Sequence, residues 1–382
     1  MPLQILRRLQ RRHTVHFVAY LNPNEDADSA PEYCSKAWPV TPPRSPHNLR
    51  PYALQVLREA LSPMPVDVRH ATTLALSSEI NRLVEQERFD IVVCDALHVA
   101  RNIPDMGKCV LFESNVESMI LRRHRENASR TLLRLHWGIQ ERRTFALERR
   151  ICRAAAGVIA ISTTDADALK DLYGVERVSA IAVGVDSDYF APPPPPSRKA
   201  DLVFVGCQSW WPNVDGAIWF VREILPLIRA KRPDCTVSIV GSSPLPEVVA
   251  LGADDPLVEV TGTVPDVRPW LWGSQVCIVP LRVGGGVRIK IYEAMAAGIP
   301  VVATPVGAEG LDVKPFENIR LAGSAEEFAD ACLELLADPM ERRRMAHEAR
   351  QMVQSECTWD RTAERFESIL AELLGGRPQR GE

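Results

Sequence analysis

Residues 279–298, VPLRVGGGVRIKIYEAMAAG, decide the fold of the second half of the chain. They follow an apolar run that begins at Val276, and they lead through three consecutive glycines into a segment without glycine or proline that ends at Gly298. Residues 299–303 are then apolar again. The pattern predicts a strand, a glycine loop, a helix and a second strand, which together make one unit of a parallel sheet with helical connections.

The glycine loop at 284–286 predicts a site for an anion such as a diphosphate. Glycines let backbone amides approach a ligand closely, and the start of a helix offers unpaired donors and the positive end of its dipole. Arg288 and Lys290 add two cations in the first turn, where an anionic ligand would offset them. Glu293, about one turn further, is placed to accept hydrogen bonds from sugar hydroxyls. The simpler interpretation is a glycine turn before an amphipathic helix with a basic face.

The length and composition are those of an ordinary soluble protein with two domains. A chain of 382 residues exceeds what one core usually serves, and its residues are 46% apolar and 25% charged. Residues 1–12 are basic without the apolar core of a signal peptide, and no apolar run reaches membrane-spanning length. We therefore expect a cytoplasmic protein that is at most peripheral on the inner membrane. The nine cysteines form no Cys-x-x-Cys pair, which predicts reduced thiols and neither disulfides nor a metal site.

Charge is distributed unevenly along the chain. The net charge of −4 argues against nucleic acid as a partner. Residues 122–153 nevertheless carry ten arginines and three glutamates, a net charge of +7. The apolar residues interleaved with them are Leu132, Leu133, Leu135, Trp137, Ile139, Phe145, Leu147 and Ile151. The segment from Arg122 to Arg153 predicts either a long exposed charged helix or a face that rests on an anionic membrane surface.

Alternating strand and helix patterns predict a doubly wound domain in each half. In the first half the predicted strands are 14–21, 37–40, 89–95, 108–112, 157–161 and 178–183, and the predicted helices are 5–12, 51–61, 70–86, 116–155 and 162–172. In the second half the predicted strands are 201–205, 235–240, 257–260, 276–280 and 299–303, and the predicted helices are 214–230, one near Glu247 and the helix after the glycine loop. A further element is predicted at 267–272, and residues 325–374 are predicted to be helical without a strand. Five consecutive prolines at 192–196 form a stiff spacer. The predicted domains are residues 1–190 and 201–355, with a linker at 191–200 and a last helix in 356–382 that returns to the first domain.

Several motifs in this order resemble the nucleotide-sugar glycosyltransferases of family 4, in the subgroup acting on bacterial polysaccharides. The similarity is nearly continuous from 201 to 312 and covers LVFVG at 202–206, WPNVDG at 211–216, VTGTVPDV at 260–267, the 280–300 stretch and PVGAEG at 305–310. In the first half the similar elements are 115–117, Ser162 with Asp165, and 184–186 ahead of 189–190.

The resemblance implies a GT-B architecture, in which two Rossmann-like domains face each other across a cleft and the second holds most of the donor. It also implies a retaining, metal-independent glycosyltransferase of the hexosyltransferase type, without a cofactor, that acts on a glycan or lipid-linked acceptor in cell-envelope or exopolysaccharide synthesis. No Asp-x-Asp lies near either glycine loop to hold a metal. The implied donor-binding residues are Gly206, Gly262, Val264, Gly284, Gly285, Gly286, Arg288, Lys290 and Glu293. The implied catalytic residues are Arg288, Lys290, Glu293, His98, Asn115 and Glu117.

Three features depart from the family pattern. Glu293 matches the second of two family glutamates, whereas Gly285 stands at the first. Ser114 stands where a histidine often precedes the Asn-x-Glu element in the family. His98 is therefore a candidate to take over the role of that histidine. The chain begins inside the first helix, so the family's first strand is missing and a gap in the sheet is expected. A catalytically weak relative that binds a nucleotide sugar or a partner transferase, and a GT-B epimerase, are the alternative functions.

Overall fold

The computed structural model of the chain describes residues 1–21, 27–43, 62, 64–128, 130–192, 197 and 199–375. Their contacts divide into two units. The first unit is Met1–Ile181 together with the last helix from Asp360 onward, and the second is Ala182–Trp359. The second unit begins several residues before the prolines because Val185 and Phe190 belong to its apolar core.

The first unit alternates strands and helices along the chain. Its helices are α1 (Pro2–Leu9), α2 (Val66–Ala71), α3 (Leu74–Gln86), α4 (Glu117–Glu126), α5 (Thr131–Ala154), α6 (Thr163–Tyr173) and the last helix α14 (Trp359–Gly375), with short 3₁₀ helices at Ala27–Glu32, Leu97–Asn102 and Met106–Lys108. Its strands are β1 (His16–Tyr20), β2 (Lys36–Val40), β3 (Val92–Asp95), β4 (Cys109–Glu113), β5 (Gly157–Ala160) and β6 (Val178–Ala180). The last helix packs on this unit through Phe366, whose ring meets Phe112 of β4 edge to face at 5.7 Å.

The strands of the first unit form two separate sheets. Strands β3, β4, β5 and β6 make one parallel sheet in that order, and β1 pairs in parallel with β2 alone. Among the described residues, β1 therefore has no ladder of hydrogen bonds to β3. Strands β4 and β5 are buried throughout, whereas Val93 of β3 is exposed.

Two predicted helices of the first unit are each two helices in the structure. The predicted helix 116–155 was wrong, because the chain turns back between α4 and α5. The Asn127 side chain donates to the carbonyl oxygen of Arg123 at 2.9 Å at the end of α4, and the turn lets Glu141 of α5 reach Arg122 of α4. The predicted helix 70–86 is divided where Thr73 caps α3. The predicted helix 51–61 lies outside the described residues.

The second unit is a six-stranded parallel sheet with helical connections. Its strands are β7 (Ala200–Val205), β8 (Val237–Val240), β9 (Val258–Gly262), β10 (Ser274–Val279), β11 (Val301–Ala303) and β12 (Arg320–Leu321), and its helices are α7 (Trp211–Trp219), α8 (Leu225–Lys231), α9 (Pro246–Ala253), α10 (Arg268–Trp272), α11 (Ile289–Ala296), α12 (Ala325–Ala337) and α13 (Pro339–Glu356). A π-helical turn, Phe220–Ile224, joins α7 to α8.

The strand order of the second sheet is β12-β11-β10-β7-β8-β9, with all neighbours parallel. Strands β7 and β10 are central, and their apolar residues other than Val205 at the end of β7 are almost completely buried, as expected of a parallel sheet covered on both faces. The order of the strands along the sheet reverses between β10 and β7. From β7 the chain continues outward through β8 and β9, and from β10 it continues outward in the opposite direction through β11 and β12. Such a switch point is where doubly wound sheets bind ligands.

Candidate functional site

The predicted donor-binding glycines lie at one edge of the second sheet. Gly206 follows β7, Gly262 ends β9, and the glycines at 284–286 follow β10. Because the strands are parallel, their carboxyl ends share this edge. Strand β9 is three strand spacings from β10, or about 14 Å, which is a span suited to an extended nucleotide.

Close packing explains two glycines at this edge. A Cβ on Gly241, after β8, would lie 1.8 Å from the carbonyl oxygen of Gly206, and Gly241 has a φ of 152°. A Cβ on Gly206 would lie 2.6 Å from both the Lys290 Nζ and the Asn213 Nδ2. Only glycine therefore lets the two strand ends and the lysine approach each other.

The glycine loop is held by the arginine that follows it. Arg288 immediately precedes α11 and is 5% exposed. Its Nη1 donates to the carbonyl oxygens of Gly286, at 2.6 Å, and of Gly285. Gly284 and Gly286 have φ values of 130° and 78°, a region that glycine adopts without steric cost. Arg288 thus fixes the shape of the loop as well as adding charge to it.

Lys290 lies in the first turn of α11 and points toward the end of β7. Its Nζ donates to the Asn213 Oδ1 at 2.8 Å and lies 4.9 Å from the centre of the Phe204 ring. The pKa of Lys290 is lowered to about 8, mainly by burial and also by the charge of Arg288, while the thiols of Cys277 and Cys207 and the carboxylate of Glu293 oppose the shift. An anion at this edge would stabilise the ammonium form of a lysine that is otherwise poorly solvated.

Glu293 is partly buried on α11, one turn after Lys290. Burial raises the pKa of its carboxyl group, and the nearby Lys290 lowers it. Gly262 has a φ of 66°, and a Cβ on it would meet no atom within 4 Å, so open space lies beside the end of β9. Val264, two residues later, packs against the core of the unit.

The predicted residues of the first unit also come together at a sheet edge. His98 lies in the 3₁₀ helix after β3, Asn115 lies in the turn after β4, and Glu117 begins α4. Burial raises the pKa of Glu117; the charge of His98 lowers it, the charge of Asp67 raises it, and a hydrogen bond from Asn115 lowers it. The three side chains are therefore close enough to interact.

Two buried glutamates at the edge of the first sheet were not predicted as site residues. Glu148 of α5 is completely buried and accepts hydrogen bonds from the backbone amides of Glu117 at 2.8 Å and Ser118 at 3.1 Å. It therefore fixes the start of α4 and with it Glu117. Glu113, the last residue of β4, is 1% exposed, and neither carboxylate oxygen has a side-chain or backbone partner of normal hydrogen-bond geometry. Burial raises the pKa of Glu113 well above its usual range, aided by the charges of Glu148 and Glu117, and the Leu97 amide offsets this only in part.

Two residues beside the glycine loop were likewise missed. Trp210, just before α7, is exposed, and its ring centre lies 5.4 Å from the guanidinium carbon of Arg288. Cys207 is the one exposed cysteine of the nine. Hydrogen bonds from the Ser209 side chain and backbone and from Ser242 lower the pKa of its thiol to about 7. Its position directly after Gly206 was the only available signal.

Within the described part of the chain, no three His, Cys, Asp or Glu side chains are grouped closely enough to hold a metal ion. The described helices include none that is both long enough and apolar enough to cross a membrane.

Two family models match the chain one after the other. Residues 3–189 match the model described as Glycosyltransferase Family 4, and residues 199–338 match the model described as Glycosyl transferases group 1. A GDP-mannose-dependent monoacylated alpha-(1-6)-phosphatidylinositol monomannoside mannosyltransferase of Corynebacterium glutamicum is 28% identical over 207 residues, which is 49% of this chain and 54% of that protein. A GDP-mannose-dependent alpha-(1-6)-phosphatidylinositol monomannoside mannosyltransferase of Mycolicibacterium smegmatis is 29% identical over 51% of this chain and 55% of that protein. The chain thus spans about half the length of the curated relatives it matches.

Solved structures resemble nearly the whole chain. Sucrose-phosphate synthase from Thermosynechococcus elongatus has a TM-score of 0.71 at 17% identity, covering 98% of this chain and 92% of that one. HepE of Anabaena, in complex with UDP and glucose, has a TM-score of 0.62 at 15% identity, covering 97% and 94%. At these identities the likeness concerns the fold, and it confirms the predicted GT-B class.

Proposed function

Because the chain belongs to the family 4 glycosyltransferases, we propose that it transfers a sugar from a nucleoside-diphosphate donor to a glycan or lipid-linked acceptor. The observation that carries the proposal is the edge of the second sheet, where a glycine loop, Arg288 and Lys290 meet at a switch point of the strand order. Glycine backbone and two cations are what a diphosphate requires.

The proposed chemistry uses these cations where charge develops. As the bond between the sugar and the diphosphate breaks, negative charge grows on the leaving phosphate. Lys290, held at 2.8 Å by Asn213, is already placed and poorly solvated, so it gains more from this charge than a lysine in water would. Two fixed cations supply the stabilisation that a metal ion provides elsewhere, and we therefore propose a metal-independent transfer. Retention at the anomeric carbon is proposed from the resemblance alone.

The acceptor is proposed to bind at the edge of the first sheet. His98, Asn115 and Glu117 offer donors and acceptors for hydroxyl groups there, and the raised pKa of Glu117 suits a group that exchanges a proton. Two relatives are named for transfer to phosphatidylinositol monomannosides. Those names support a lipid-linked acceptor. A role in making cell-envelope or extracellular polysaccharide, on the cytoplasmic face of the inner membrane, is proposed from the family resemblance alone.

The proposal is tested by donor binding and donor hydrolysis. Calorimetry with UDP, GDP and their sugar conjugates should show binding of one base in preference to the other, without added metal and in the presence of a chelator. Lys290→Ala should weaken that binding, and Arg282→Ala serves as the control, since Arg282 lies in the same loop but pairs with Asp215 at 2.6 Å. Absence of binding to every nucleotide tested would contradict the proposal.

A binding protein without turnover is the second candidate. It is favoured by Ser114 at a position where the family often has histidine, and by the divided sheet of the first unit. In such a protein, donor binding would still depend on Lys290. The protein would show neither the slow hydrolysis of the donor expected of a transferase nor any transfer of its sugar. An epimerase would convert the donor sugar into its epimer without any acceptor, and analysis of the sugar after incubation separates the three outcomes.

A further inference from the structure

The first turn of α5 stands apart from the core of its unit. Leu132, Leu133 and Leu135 are 81%, 45% and 61% exposed, and every residue from Thr131 to Leu135 is exposed. Burial begins only at Gln140, more than two turns into the helix. Three exposed leucines within four residues form an apolar patch in contact with water. A monomeric protein normally buries such a patch.

Arginines flank these leucines at the same end of the helix. Arg130 precedes Thr131, and Arg134 lies between Leu133 and Leu135, both exposed. Residues 130–135 contain no acidic side chain. We call residues 130–135 the hairpin tip, because they follow the turn of the antiparallel pair of helices α4 and α5. The tip therefore combines apolar side chains with a charge of +2.

Two other arginines of this region have a different role. Arg122 and Arg125 of α4 pair with Glu141 of α5 at 3.1 Å and 2.9 Å, and the Glu141 side chain is only 10% exposed. These contacts tie the two helices together below the tip. The sequence-based interpretation, in which the whole stretch Arg122 to Arg153 forms one basic face, is therefore too broad.

We propose that the hairpin tip docks on a membrane surface that contains anionic lipid. The leucines enter the boundary between headgroups and acyl chains, and Arg130 and Arg134 bind lipid phosphates. The choice of a membrane rests in part on the proposed function, since a lipid-linked acceptor lies at such a surface. A second copy of the chain fits less well, because a symmetric contact between two tips would bring their arginines together.

The structure defines the variants that test the docking surface. Arg130→Gln with Arg134→Gln removes the charge, and Leu132→Ser with Leu133→Ser and Leu135→Ser removes the apolar contact. Arg149→Gln with Arg150→Gln is the matched charge control, because both are exposed on the same helix near its other end. Leu74→Ser is the apolar control, because Leu74 is 88% exposed on α3. Equal melting temperatures for all variants confirm that each one folds.

Sedimentation with vesicles provides the measurement. The unmodified protein should bind vesicles of phosphatidylglycerol and phosphatidylcholine at low salt, bind phosphatidylcholine alone weakly, and be released by high salt. The arginine variant should bind about thirty-fold more weakly, because each basic residue at such a surface contributes on the order of 1 kcal/mol. The leucine variant should bind about tenfold more weakly or worse, and both controls should bind like the unmodified protein.

Three results would overturn the proposal: no binding to anionic vesicles at low salt, binding that the tip variants leave unchanged, and self-association that the leucine variant abolishes. Calorimetric titration of the same preparations with UDP and GDP keeps the two proposals apart. A protein that binds a nucleotide but ignores vesicles loses only the docking surface, whereas a protein that binds vesicles through the tip but no nucleotide loses only the proposed function.

Discussion

The four-stranded sheet of the first unit (the first sheet) and the six-stranded sheet of the second unit (the second sheet) carry opposite chemistry at their carboxyl edges. In the second sheet the residues that follow the strands are glycines and two cations, Arg288 and Lys290, and burial lowers the pKa of the lysine. In the first sheet they include carboxyl groups, among them Glu113 and Glu117, and burial raises the pKa of both. Burial thus favours the neutral, deprotonated form of Lys290 at the edge of the second sheet, and the neutral, protonated forms of Glu113 and Glu117 at the edge of the first.

The difference shows what each edge can bind. Burial disfavours the charged form of any group, so a ligand of opposite charge gains most where the cations are buried. The diphosphate of the proposed donor would be such a ligand at the second sheet. Carboxyl groups with raised pKa values can exchange hydrogen bonds with neutral hydroxyls and offer no positive charge to a phosphate, which suits the proposed acceptor at the first sheet. The comparison predicts that substitutions of Arg288 and Lys290, at the edge of the second sheet, change how the donor binds and reacts. Substitutions of Glu113 and Glu117, at the edge of the first sheet, should leave donor binding unchanged.

The largest effect should come from the cations. Lys290→Ala should lower kcat about a hundredfold or more, the cost of removing one fixed donor from developing charge, and should raise KM much less. Arg288→Ala should act in the same direction, with an added loss of loop order because Arg288 bonds the carbonyl oxygens of the glycine loop. Steady-state kinetics with the donor found by calorimetry would measure both.

Arg282→Ala is the control for the cations, and it should change kcat less than about threefold because its charge is satisfied by Asp215 on the protein surface. A rise in KM alone in the Lys290 variant would make that lysine a binding residue and remove it from the catalytic set.

A smaller loss is expected at Glu293. Glu293→Ala should weaken donor binding or turnover by about 1.5–3 kcal/mol, the range for a hydrogen bond to a charged group. Isothermal titration with donor and with the bare nucleoside diphosphate separates the effects, because the glutamate is proposed to bind sugar hydroxyls that the diphosphate lacks. Glu247→Ala, an exposed glutamate on α9, is the control. Equal loss for both ligands would place Glu293 against the nucleotide instead.

The pH profile should show the titration of Lys290. A lysine whose pKa is lowered to about 8 loses its charge as the pH rises through that value, so kcat/KM should fall about tenfold per unit above it. The measurement is best made in a Cys207→Ser background, because the Cys207 thiol titrates near 7. Lys290→Arg keeps its charge, and its activity should stay level between pH 7.5 and 9.5. A fall of the same size in that variant would assign the titration to another group.

Local pattern was enough to predict the glycine edge. Three glycines between an apolar run and a helical segment specify a turn and a helix start without any knowledge of distant residues, and the strand positions followed from apolar runs in the same way. The cap at Ser162, which accepts from the Asp165 amide at 3.0 Å, was predicted for the same reason. The roles assigned to Arg288, Lys290 and Glu293 stay predictions.

Contacts between distant residues were not predictable. Asn213 meets Lys290 because β7 lies beside β10, an order that alternation of strands and helices does not specify. The turn after Glu126 was missed because the ion pairs of Glu141 that stabilise it form only once the helices have folded back. Burial of Glu113 was missed because a carboxylate after an apolar run usually signals solvent.

Stability should depend on pH through Glu113. Its folded-state pKa lies well above the value of about 4.3 expected in the unfolded chain. The folded state therefore holds the proton more tightly, and stability falls as the pH rises from about 4.3 toward the folded pKa. The Glu113→Gln variant has no carboxyl group to titrate at this position. The free energy of unfolding of the variant minus that of the unmodified protein should therefore rise by up to about 1.4 kcal/mol per pH unit in this window. Urea titrations from pH 4.5 to 7.5 measure the gain, with exposed Glu85→Gln as the control. A constant difference across the window would show that Glu113 is ionised in the fold.

The smallest effect should appear at Cys207, where the chemistry of the second sheet's edge can be read without turnover. Eight of the nine cysteines are buried, so iodoacetamide should label Cys207 selectively and Cys207→Ser should label little. The labelling rate should rise with pH around 7, because hydrogen bonds lower the thiol pKa to about 7, and not around the value of about 8.5 of an ordinary thiol. A nucleoside diphosphate bound beside Gly206 should cover the thiol and slow its labelling about fivefold. That factor corresponds to roughly 1 kcal/mol added to the activation free energy of labelling. Saturating UDP or GDP, whichever binds by calorimetry, should give this protection, and inorganic sulfate at the same ionic strength should not. A bound nucleotide that leaves the labelling rate unchanged would place the donor away from the end of β7, and the contrast between the two sheet edges would then lose its explanation.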